Sequence, residues 1–352
     1  MEAERTRTIC ITLEKTMRFV SPVLKYLAYP ALHRMNWLSR SLPVNSCAVV
    51  NYHGILPDDY ASGDSFLDGN LVAKDTLWRQ LQLLKCRYHI ISPDDFHNWL
   101  DGRADIPPRA VLLTCDDGLL NTLTDMLPLL ANEGVPCLFF VLGASCCHTE
   151  TRLWYEELYQ LLAYERNKGK DKGNVADFRA RWWQTVQEVS ALDRREREEW
   201  MGTLNVRCEQ AIDRSAPKRW CLLNSDQLKQ LAAAGMEIGA HTLSHLVLSA
   251  CSEDVVRQEI QSSKQELERV LGRSVWAFAY PFGNPATMGD REVRLAREAG
   301  FACAFVNTGG GAVDRSQPFV LARAHVTAQM GLGEFEAHIS GFHQRLQHAV
   351  RG

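Results

Sequence analysis

The chain has 352 residues, of which 46% are hydrophobic and 23% are charged, and its formal net charge is −3. This length can form one sizeable domain with an inserted or appended piece, and the composition is ordinary for a soluble globular protein. A net charge close to zero gives no overall field that would attract a polyanion, so no nucleic-acid partner is expected.

The eleven cysteines are scattered along the chain and include no C-x-x-C pair, which leaves a zinc knuckle without support. An odd number of thiols, many of them in apolar runs, fits a reducing compartment. No window of about 18 uncharged apolar residues could span a bilayer. We therefore expect a cytoplasmic protein, with membrane association as an open alternative.

Residues 1–46 are predicted to form an N-terminal helical extension. Within them, residues 13–42 combine lysine and arginine with many leucine, phenylalanine, tyrosine and tryptophan side chains. A helix packed on the domain is the favoured interpretation, because the apolar face is not sharply segregated. The alternative is a peripheral membrane contact or a helix that docks on a partner.

Two buried strands are predicted to end directly in polar residues. Residues 47–52 are apolar and rich in β-formers, and His53 follows them. Residues 110–114 form the clearest strand of the chain, and Asp116 and Asp117 come directly after it. Both strands therefore place groups with acid–base chemistry at their carboxyl ends.

Helices and strands are predicted to alternate over most of the remaining sequence. The predicted elements are helices at 77–84, 93–100, 120–133, 225–234, 253–271 and 291–299, and strands at 89–91, 137–142, 237–240, 275–280 and 302–306. Repeated α/β units whose strands end in polar loops predict an α/β barrel with its site at the carboxyl ends of the strands.

Residues 151–220 interrupt this alternation. They are rich in tryptophan, arginine and glutamate and show helical periodicity on both sides of a charged run at 167–173. We interpret the span as a helical insertion, or lid, within a barrel of residues 47–330 that is followed by a C-terminal helix at 331–352. The charged run reads as a solvated loop, with a substrate-phosphate contact as the alternative.

Two strand ends carry residues that suit a catalytic metal ion. Asp-Asp occurs three times, but only Asp116 and Asp117 directly follow a buried strand, where two adjacent charges need a partner. His241 and His245 also follow a predicted strand. One carboxylate and two imidazoles leave metal positions open for water and substrate, and a second carboxylate can accept the proton of that water.

Three motifs, in this order, resemble those of the polysaccharide deacetylase (NodB-homology) family, carbohydrate esterase family four. Residues 113–118 (Leu-Thr-Cys-Asp-Asp-Gly) resemble the T-F-D-D-G motif, and residues 241–245 resemble H-[ST]-x-x-H. Residues 279–283 (Ala-Tyr-Pro-Phe-Gly) resemble the R-x-P-Y-G motif. The ordered set is far more specific than any one motif, and the resemblance covers about residues 47–330.

The resemblance implies a distorted (β/α) barrel of seven or eight strands and a metal-dependent amide hydrolase. Asp116 would be the general base, and Asp117, His241 and His245 would bind one divalent transition metal. Two imidazoles and one carboxylate suit Zn²⁺, with Co²⁺, Ni²⁺ and Fe²⁺ as alternatives. Water activated by this ion would attack an acetamido carbonyl.

The resemblance also implies a carbohydrate partner, either a glycan or a lipid-linked sugar in surface polysaccharide biosynthesis. Tyr280, Pro281, Phe282 and Gly283 would line the substrate groove, and a backbone N–H near Phe282 would help to hold the oxyanion. The sequence leaves two other functions open. They are a deformylase that acts on an amino-sugar lipid and a catalytically idle glycan-binding barrel.

Two histidines compete for the role of general acid. A branch of the family carries this histidine early, as Tyr-His after the first strand, and Tyr52 and His53 match that form. His325 is the late competitor, but it lacks the family's late apolar-x-His-Asp pattern. We therefore predict that His53 is the acid.

One departure from the family motifs bears on the base. Ala279 stands where the motif has an arginine that orients the base carboxylate. Another cation is needed at this point, and Arg323 is the candidate.

Overall fold

The computed structural model describes residues 24–56, 66, 68–146, 152–168, 174–211 and 221–351. The strands are β1 (Cys47–Tyr52), β2 (Ile55–Leu56), β3 (Val72–Ala73), β4 (His89–Ile90), β5 (Ala110–Cys115), β6 (Leu138–Val141), β7 (Glu237–Ala240), β8 (Ala277–Ala279), β9 (Cys303–Phe305) and β10 (Ala324–His325). The α-helices are α1 (Tyr29–Arg34), α2 (Lys74–Arg87), α3 (Pro93–Leu100), α4 (Leu127–Glu133), α5 (Trp154–Asn167), α6 (Val175–Ala191), α7 (Arg194–Ala211), α8 (Ser225–Ala233), α9 (Glu253–Leu271), α10 (Asp290–Glu298), α11 (Leu332–Ile339) and α12 (Phe342–Arg351).

Eight of these strands form one parallel sheet that curls into a distorted α/β barrel, as predicted from the sequence. The order is β10-β1-β5-β6-β7-β8-β9, and β4 pairs with the first residues of β5. Residues 321–326 connect the two edges of the sheet. The N–H of Leu321 donates to the carbonyl of Ala304 on β9, and the N–H of Val326 donates to the carbonyl of Asn51 on β1. Because all the pairings are parallel, the strands present their carboxyl ends at one rim.

The sheet is buried on both faces, which explains why its strands read as continuous apolar runs. Successive side chains of β5 alternate between two cores. Val111 and Leu113 pack under the surrounding helices, whereas Leu112 points into the barrel interior with Phe140 and Phe305. The interior is thus filled by large side chains and forms a packed core.

Gly239 on β7 makes room for one of these interior rings. A Cβ atom at this position would lie 2.5 Å from the ring of Phe140, which is closer than side chains tolerate. The absence of a side chain therefore lets β7 pass beside Phe140, two residues before His241.

The described parts of residues 151–220 hold helices α5, α6 and α7 and no named strand. Hydrogen bonds attach two of these helices, α5 and α6, to the segment that follows β7. The indole N–H of Trp154 donates to the carbonyl of Ser244 at 3.1 Å, and the hydroxyl of Ser190 accepts from the N–H of Val247 at 3.1 Å. Helices α5 and α6 therefore pack against the segment that carries the predicted histidine ligands.

The two ends of the described chain pack together. Tyr29 of α1 is buried, and Gly333 of α11 lies so close to it that a Cβ atom would be 2.8 Å from the Tyr29 carbonyl carbon. The prediction of a single C-terminal helix at 331–352 is wrong. Gly341 adopts a left-handed conformation with φ 69°, and this turn separates α11 from α12.

The described N-terminal residues comprise a π-helical turn (Leu24–Ala28), α1 and a 3₁₀ turn (Leu38–Ser41). The rest of the predicted extension, residues 1–23, lies outside the described residues. None of the helices in the described ranges is both long enough and apolar enough to cross a membrane.

Candidate metal centre and active site

The carboxyl rim of the barrel gathers the predicted catalytic residues in one cavity of about 910 Å³. Each lies at or just after the end of a strand, and the parallel sheet brings these ends together. The residues of this group that line the cavity are His53 after β1, Asp116 and Asp117 after β5, His241 and His245 after β7, and His325 at the end of β10.

Asp117, His241 and His245 form a compact group that could hold a metal ion. The Oδ1 atom of Asp117 lies 3.4 Å from Nε2 of His241 and 3.3 Å from Nε2 of His245. In a tetrahedral site with bonds of 2.0–2.1 Å, ligand atoms are about 3.3 Å apart. All three residues are buried. The spacing therefore fits the first ligand shell of Zn²⁺ or a similar ion.

The potential ligand atoms of these three side chains also lie close to one another. Asp117 Oδ1 is buried, and no described group gives it a well-directed hydrogen bond, although both imidazoles are close. Nδ1 of His241 donates to the carbonyl of Ala279 at 2.8 Å, which leaves its Nε2 free to act as a ligand. Burial would raise the pKa of Asp117, but the two imidazoles outweigh burial and hold this pKa well below its ordinary value.

The backbone around the site is strained. Asp117, Thr242, His245 and Phe282 have φ values of 71°, 64°, 59° and 59°. Residues other than glycine rarely adopt this left-handed conformation, and they keep it only where the surrounding structure enforces it. The strain falls on two of the three candidate metal ligands. Their backbone conformation is therefore enforced by the surrounding structure.

Glu259 of α9 holds the loop between the two histidines. Its carboxylate accepts the N–H groups of Leu243 and Ser244 at 3.1 and 2.8 Å and the Ser244 hydroxyl at 2.7 Å. Burial raises the pKa of Glu259. The motifs did not indicate this residue. The available signal was an acidic residue on the apolar stripe of an amphipathic helix, beside Val256 and Ile260.

Asp116 forms a buried two-pronged ion pair with Arg323. The two terminal nitrogens of the guanidinium each lie 2.7 Å from an oxygen of the carboxylate, and the amide nitrogen of Asn51 donates to Oδ2 at 2.8 Å. Burial alone would raise the pKa of Asp116, but the positive charge of Arg323 outweighs it, and the pKa lies below its ordinary value. Arg323 thus supplies the positive charge beside Asp116 that Ala279 lacks.

The two candidate acids differ in how their rings are held. His53 Nε2 lies 3.9 Å from Asp116 Oδ2, and its buried Nδ1 has no hydrogen-bond partner among the described residues. His325 has both nitrogens engaged, with Asn307 at 3.2 Å and Asn70 at 3.1 Å. Burial lowers the pKa of both, and with the repulsion of a charged His53 it brings that of His325 to about 3.

The motif at residues 279–283 contributes less to the groove than predicted. Phe282 lines the cavity, but Tyr280 is fully buried and its hydroxyl donates to the carbonyl of Phe319 at 3.1 Å. Tyr280 therefore supports the groove from the core, which corrects its assignment to substrate. Pro281 and Gly283 are not among the lining residues either. Gly283 instead lets the backbone of Asn307 approach, since a Cβ atom there would lie 2.5 Å from the Asn307 nitrogen.

Aromatic side chains from α5 and α6 form the opposite wall of the cavity. The ring of Tyr155 lies 4.7 Å from that of His245 and 5.4 Å from that of Phe282, and Trp183 lies 5.1 Å from Phe282. Trp182 completes this wall. The sequence showed these aromatics, but only the fold places them beside the candidate metal ligands.

Comparison with known proteins identifies the family. The model of the polysaccharide deacetylase family matches residues 103–304, which is more than half of the chain. The protein therefore belongs to the polysaccharide deacetylase family. A Bacillus subtilis (strain 168) protein named as a polysaccharide deacetylase, YxkH, is 27% identical over 118 residues. That match covers 33% of this chain and only 41% of the relative.

Solved structures of deacetylases share the fold. The Streptococcus pyogenes deacetylase PplD in complex with acetate has a TM-score of 0.56 at 18% identity, with 84% of this chain and 99% of that chain covered. A de-N-acetylase from Aggregatibacter actinomycetemcomitans has a TM-score of 0.57 at 13% identity, with 83% and 99% covered. IcaB from Ammonifex degensii has a TM-score of 0.53 at 17% identity, with 84% and 97% covered.

The pair of Asp116 and Arg323 generates a prediction on stability. Arg323→Met should lower the free energy of unfolding by about 3–5 kcal/mol, because it leaves a buried carboxylate without its cation. The double variant Asp116→Asn/Arg323→Met should lose clearly less than the sum of the single variants. Urea denaturation measures this coupling. Arg194→Met, which breaks an exposed pair with Glu198, is the control and should leave stability nearly unchanged. Additive effects of the two buried substitutions would contradict the prediction.

Proposed function

We propose that the protein is a metal-dependent hydrolase that removes an N-acetyl or related N-acyl group from an amino-sugar-containing glycan or glycan precursor. The observation that carries this proposal is the arrangement at the rim, where a group of one carboxylate and two imidazoles lies beside a second carboxylate that is ionised by an arginine. Membership of the polysaccharide deacetylase family supports the same reaction class.

Asp117, His241 and His245 would hold one divalent ion, with Zn²⁺ the best match to the ligand set and Co²⁺, Ni²⁺ or Fe²⁺ as alternatives. Bound there, such an ion supplies a Lewis acid that polarises the attacking water and the amide carbonyl. The left-handed turn at Phe282 faces the same cavity, and we assign a backbone N–H at this turn to the developing oxyanion.

Asp116 would accept the proton of the attacking water. Its carboxylate is ionised at neutral pH because Arg323 lowers its pKa, and Arg323 and Asn51 together fix its orientation. An ionised and immobile carboxylate next to the ion-binding group is the arrangement that a general base requires.

His53 would donate a proton to the departing amine. Its Nδ1 has no partner in the described part of the chain, and its Nε2 is 3.9 Å from Asp116. His325 uses both ring nitrogens for contacts with asparagines, so a proton transfer from it would first break a hydrogen bond. We infer that His325 positions the ring of His53, which it meets edge-on at 4.9 Å between ring centres. This assignment would place the chain in the early-histidine branch of the family.

The helical segment 151–220 would be an insertion that shapes substrate access, because its aromatic residues form a wall of the cavity. Aromatic faces beside a hydrolytic centre suit the stacking of a sugar ring. A glycan, or a lipid-linked sugar in the assembly of a surface polysaccharide, is the substrate that we propose. The same ligands would also serve a deformylase that acts on an amino-sugar lipid, whereas an idle glycan-binding barrel would not need a complete ligand set and base.

The first test separates metal binding from proton transfer. His241→Ala and His245→Ala should each lose the ion that the purified protein binds, because two remaining ligands hold it poorly. Asp116→Asn should keep the ion but lose turnover by about 10²- to 10⁴-fold, because an amide cannot accept a proton. Elemental analysis and acetate release from N-acetylglucosamine oligomers are the measurements, and the exposed His89→Ala is the control. An ion retained in both histidine variants would exclude the proposed ligand set.

The second test distinguishes the two histidines. His53→Ala should retain the ion and the fold but lose at least about 10²-fold in kcat, as expected for removal of a general acid. His325→Ala should be much milder, since it removes only a positioning contact. Metal analysis, thermal melting and steady-state kinetics on both variants provide the comparison. The reverse ranking of the two kcat values would transfer the acid role to His325.

We also infer that the N-terminal segment contacts a membrane surface. Tyr29 and Leu38 pack on the domain, but other apolar side chains of the segment are exposed. The exposed residues are Tyr26, Leu27, Met35, Trp37 and Val44. No aspartate or glutamate occurs between residues 15 and 57 or in α12, whose Phe342 packs against Trp37. Apolar side chains among basic residues suit the surface of an anionic bilayer.

The membrane contact can be tested with vesicles. The variant Leu27→Ser/Met35→Ser/Trp37→Ser should bind at least about 10-fold less to vesicles of phosphatidylcholine and phosphatidylglycerol, because it removes the apolar groups that would enter the interface. Sedimentation with the vesicles measures the bound fraction. Val206→Ser, at another exposed apolar residue, should bind as the wild type does. Equal binding of the triple variant and the wild type would rule out this surface.

A further inference from the structure

Helix α6 brings an arginine to the wall of the active-site cavity. Arg179 lies three and four residues before Trp182 and Trp183, so the three side chains project to the same side of the helix. All three line the cavity that contains Asp117 and His245. A cation and two indole rings therefore face the space in which a substrate would be bound.

The charge of Arg179 has no counter-charge in the described part of the chain. Its guanidinium carbon lies 4.3 Å from the centre of the Phe66 ring, a cation–π contact that holds the group in place without neutralising it. Its Nε is buried and has no hydrogen-bond partner there. A buried donor of this kind is costly unless another group supplies an acceptor. A bound ligand would supply that acceptor.

The carboxylates of the cavity are already engaged. Asp116 is bound by Arg323, and Asp117 belongs to the metal-binding group. Asp68 and Glu156 also line the cavity, and both have interactions of their own. Among the cavity-lining residues that the structure describes, Arg179 is the one arginine or lysine. The described lining of the cavity therefore leaves no carboxylate for Arg179, and an oxyanion on a bound substrate would pair with it.

We propose that Arg179 binds an oxyanion on the substrate glycan, either a carboxylate or a phosphate, next to the sugar that carries the N-acyl group. This inference rests on the proposed function and makes the substrate an acidic glycan. A guanidinium offers parallel N–H donors that match the two oxygens of a carboxylate or phosphate. The faces of Trp182 and Trp183 would stack on the sugar ring that carries this group.

Isothermal titration calorimetry on the metal-loaded, full-length protein tests this site with matched ligands. The first pair is a tetrasaccharide of alternating N-acetylglucosamine and glucuronate and its carboxyl-reduced, neutral form. The second pair is N-acetylglucosamine 1-phosphate and N-acetylglucosamine. The wild type should bind the anionic member of at least one pair about 10-fold or more tightly than the neutral member, as charge-assisted hydrogen bonds predict. The pair that shows this preference identifies the oxyanion as a carboxylate or a phosphate.

The variants assign the preference to one side chain. Arg179→Gln should bind both members of a pair equally while its affinity for the neutral member stays unchanged, and Arg179→Lys should keep a reduced preference because it retains the charge. Arg181→Gln, at an exposed residue on the same helix, should behave as the wild type does. No charge preference in the wild type, or a preference that survives in Arg179→Gln, would overturn the proposal.

The binding measurement also separates this inference from the proposed function. Charge-dependent binding without acyl release from any ligand would support the oxyanion site and contradict the hydrolase. Acyl release from neutral and anionic ligands alike, with equal affinities, would support the hydrolase and contradict the oxyanion site.

Discussion

The buried ion pair between Arg323 and Asp116 connects the closure of the barrel with the chemistry of the site. Arg323 lies in the segment that links β9 to β1, and its guanidinium reaches the end of β5. It also donates to the carbonyl of Val306, and it lies over the rings of Phe140 and Phe305 in the barrel interior. A buried charge without a partner would be costly. The ion pair therefore holds the Asp116 carboxylate in place and holds the segment of Arg323 against the sheet.

This pair also explains how two adjacent aspartates can take different roles. Asp116 is held by an arginine and an asparagine, so its negative charge is compensated and its orientation is fixed. Asp117 faces two imidazoles, and the three side chains form the group that could hold a metal ion. Asp117 also adopts a left-handed backbone conformation, with a φ of 71°, directly after Asp116. In the proposed function, one dipeptide would thereby supply both a fixed base and a metal ligand.

The sequence predicted the barrel and the candidate metal group because both depend on local patterns. Apolar runs that end in Asp116, Asp117 or His241 indicate strand ends, and parallel strands bring their ends together. Contacts that depend on the closed fold were harder to predict. Arg323 appeared only as a candidate cation, and Glu259 did not appear at all. Tyr280 was misassigned because a motif gives the neighbourhood of a residue but not the direction in which its side chain points.

The site has two parts with different sources of rigidity. Asp116, Asp117, His241 and His245 follow strand ends that are held by the packed barrel interior and by the carboxylate of Glu259. The opposite wall is made of helices α5 and α6, which meet the barrel through side-chain contacts and a few hydrogen bonds to the loop after β7. The barrel side and the helical wall therefore depend on separate sets of contacts. Selection among acidic and neutral glycans would then depend on residues such as Arg179 and Trp183, which do not touch the base.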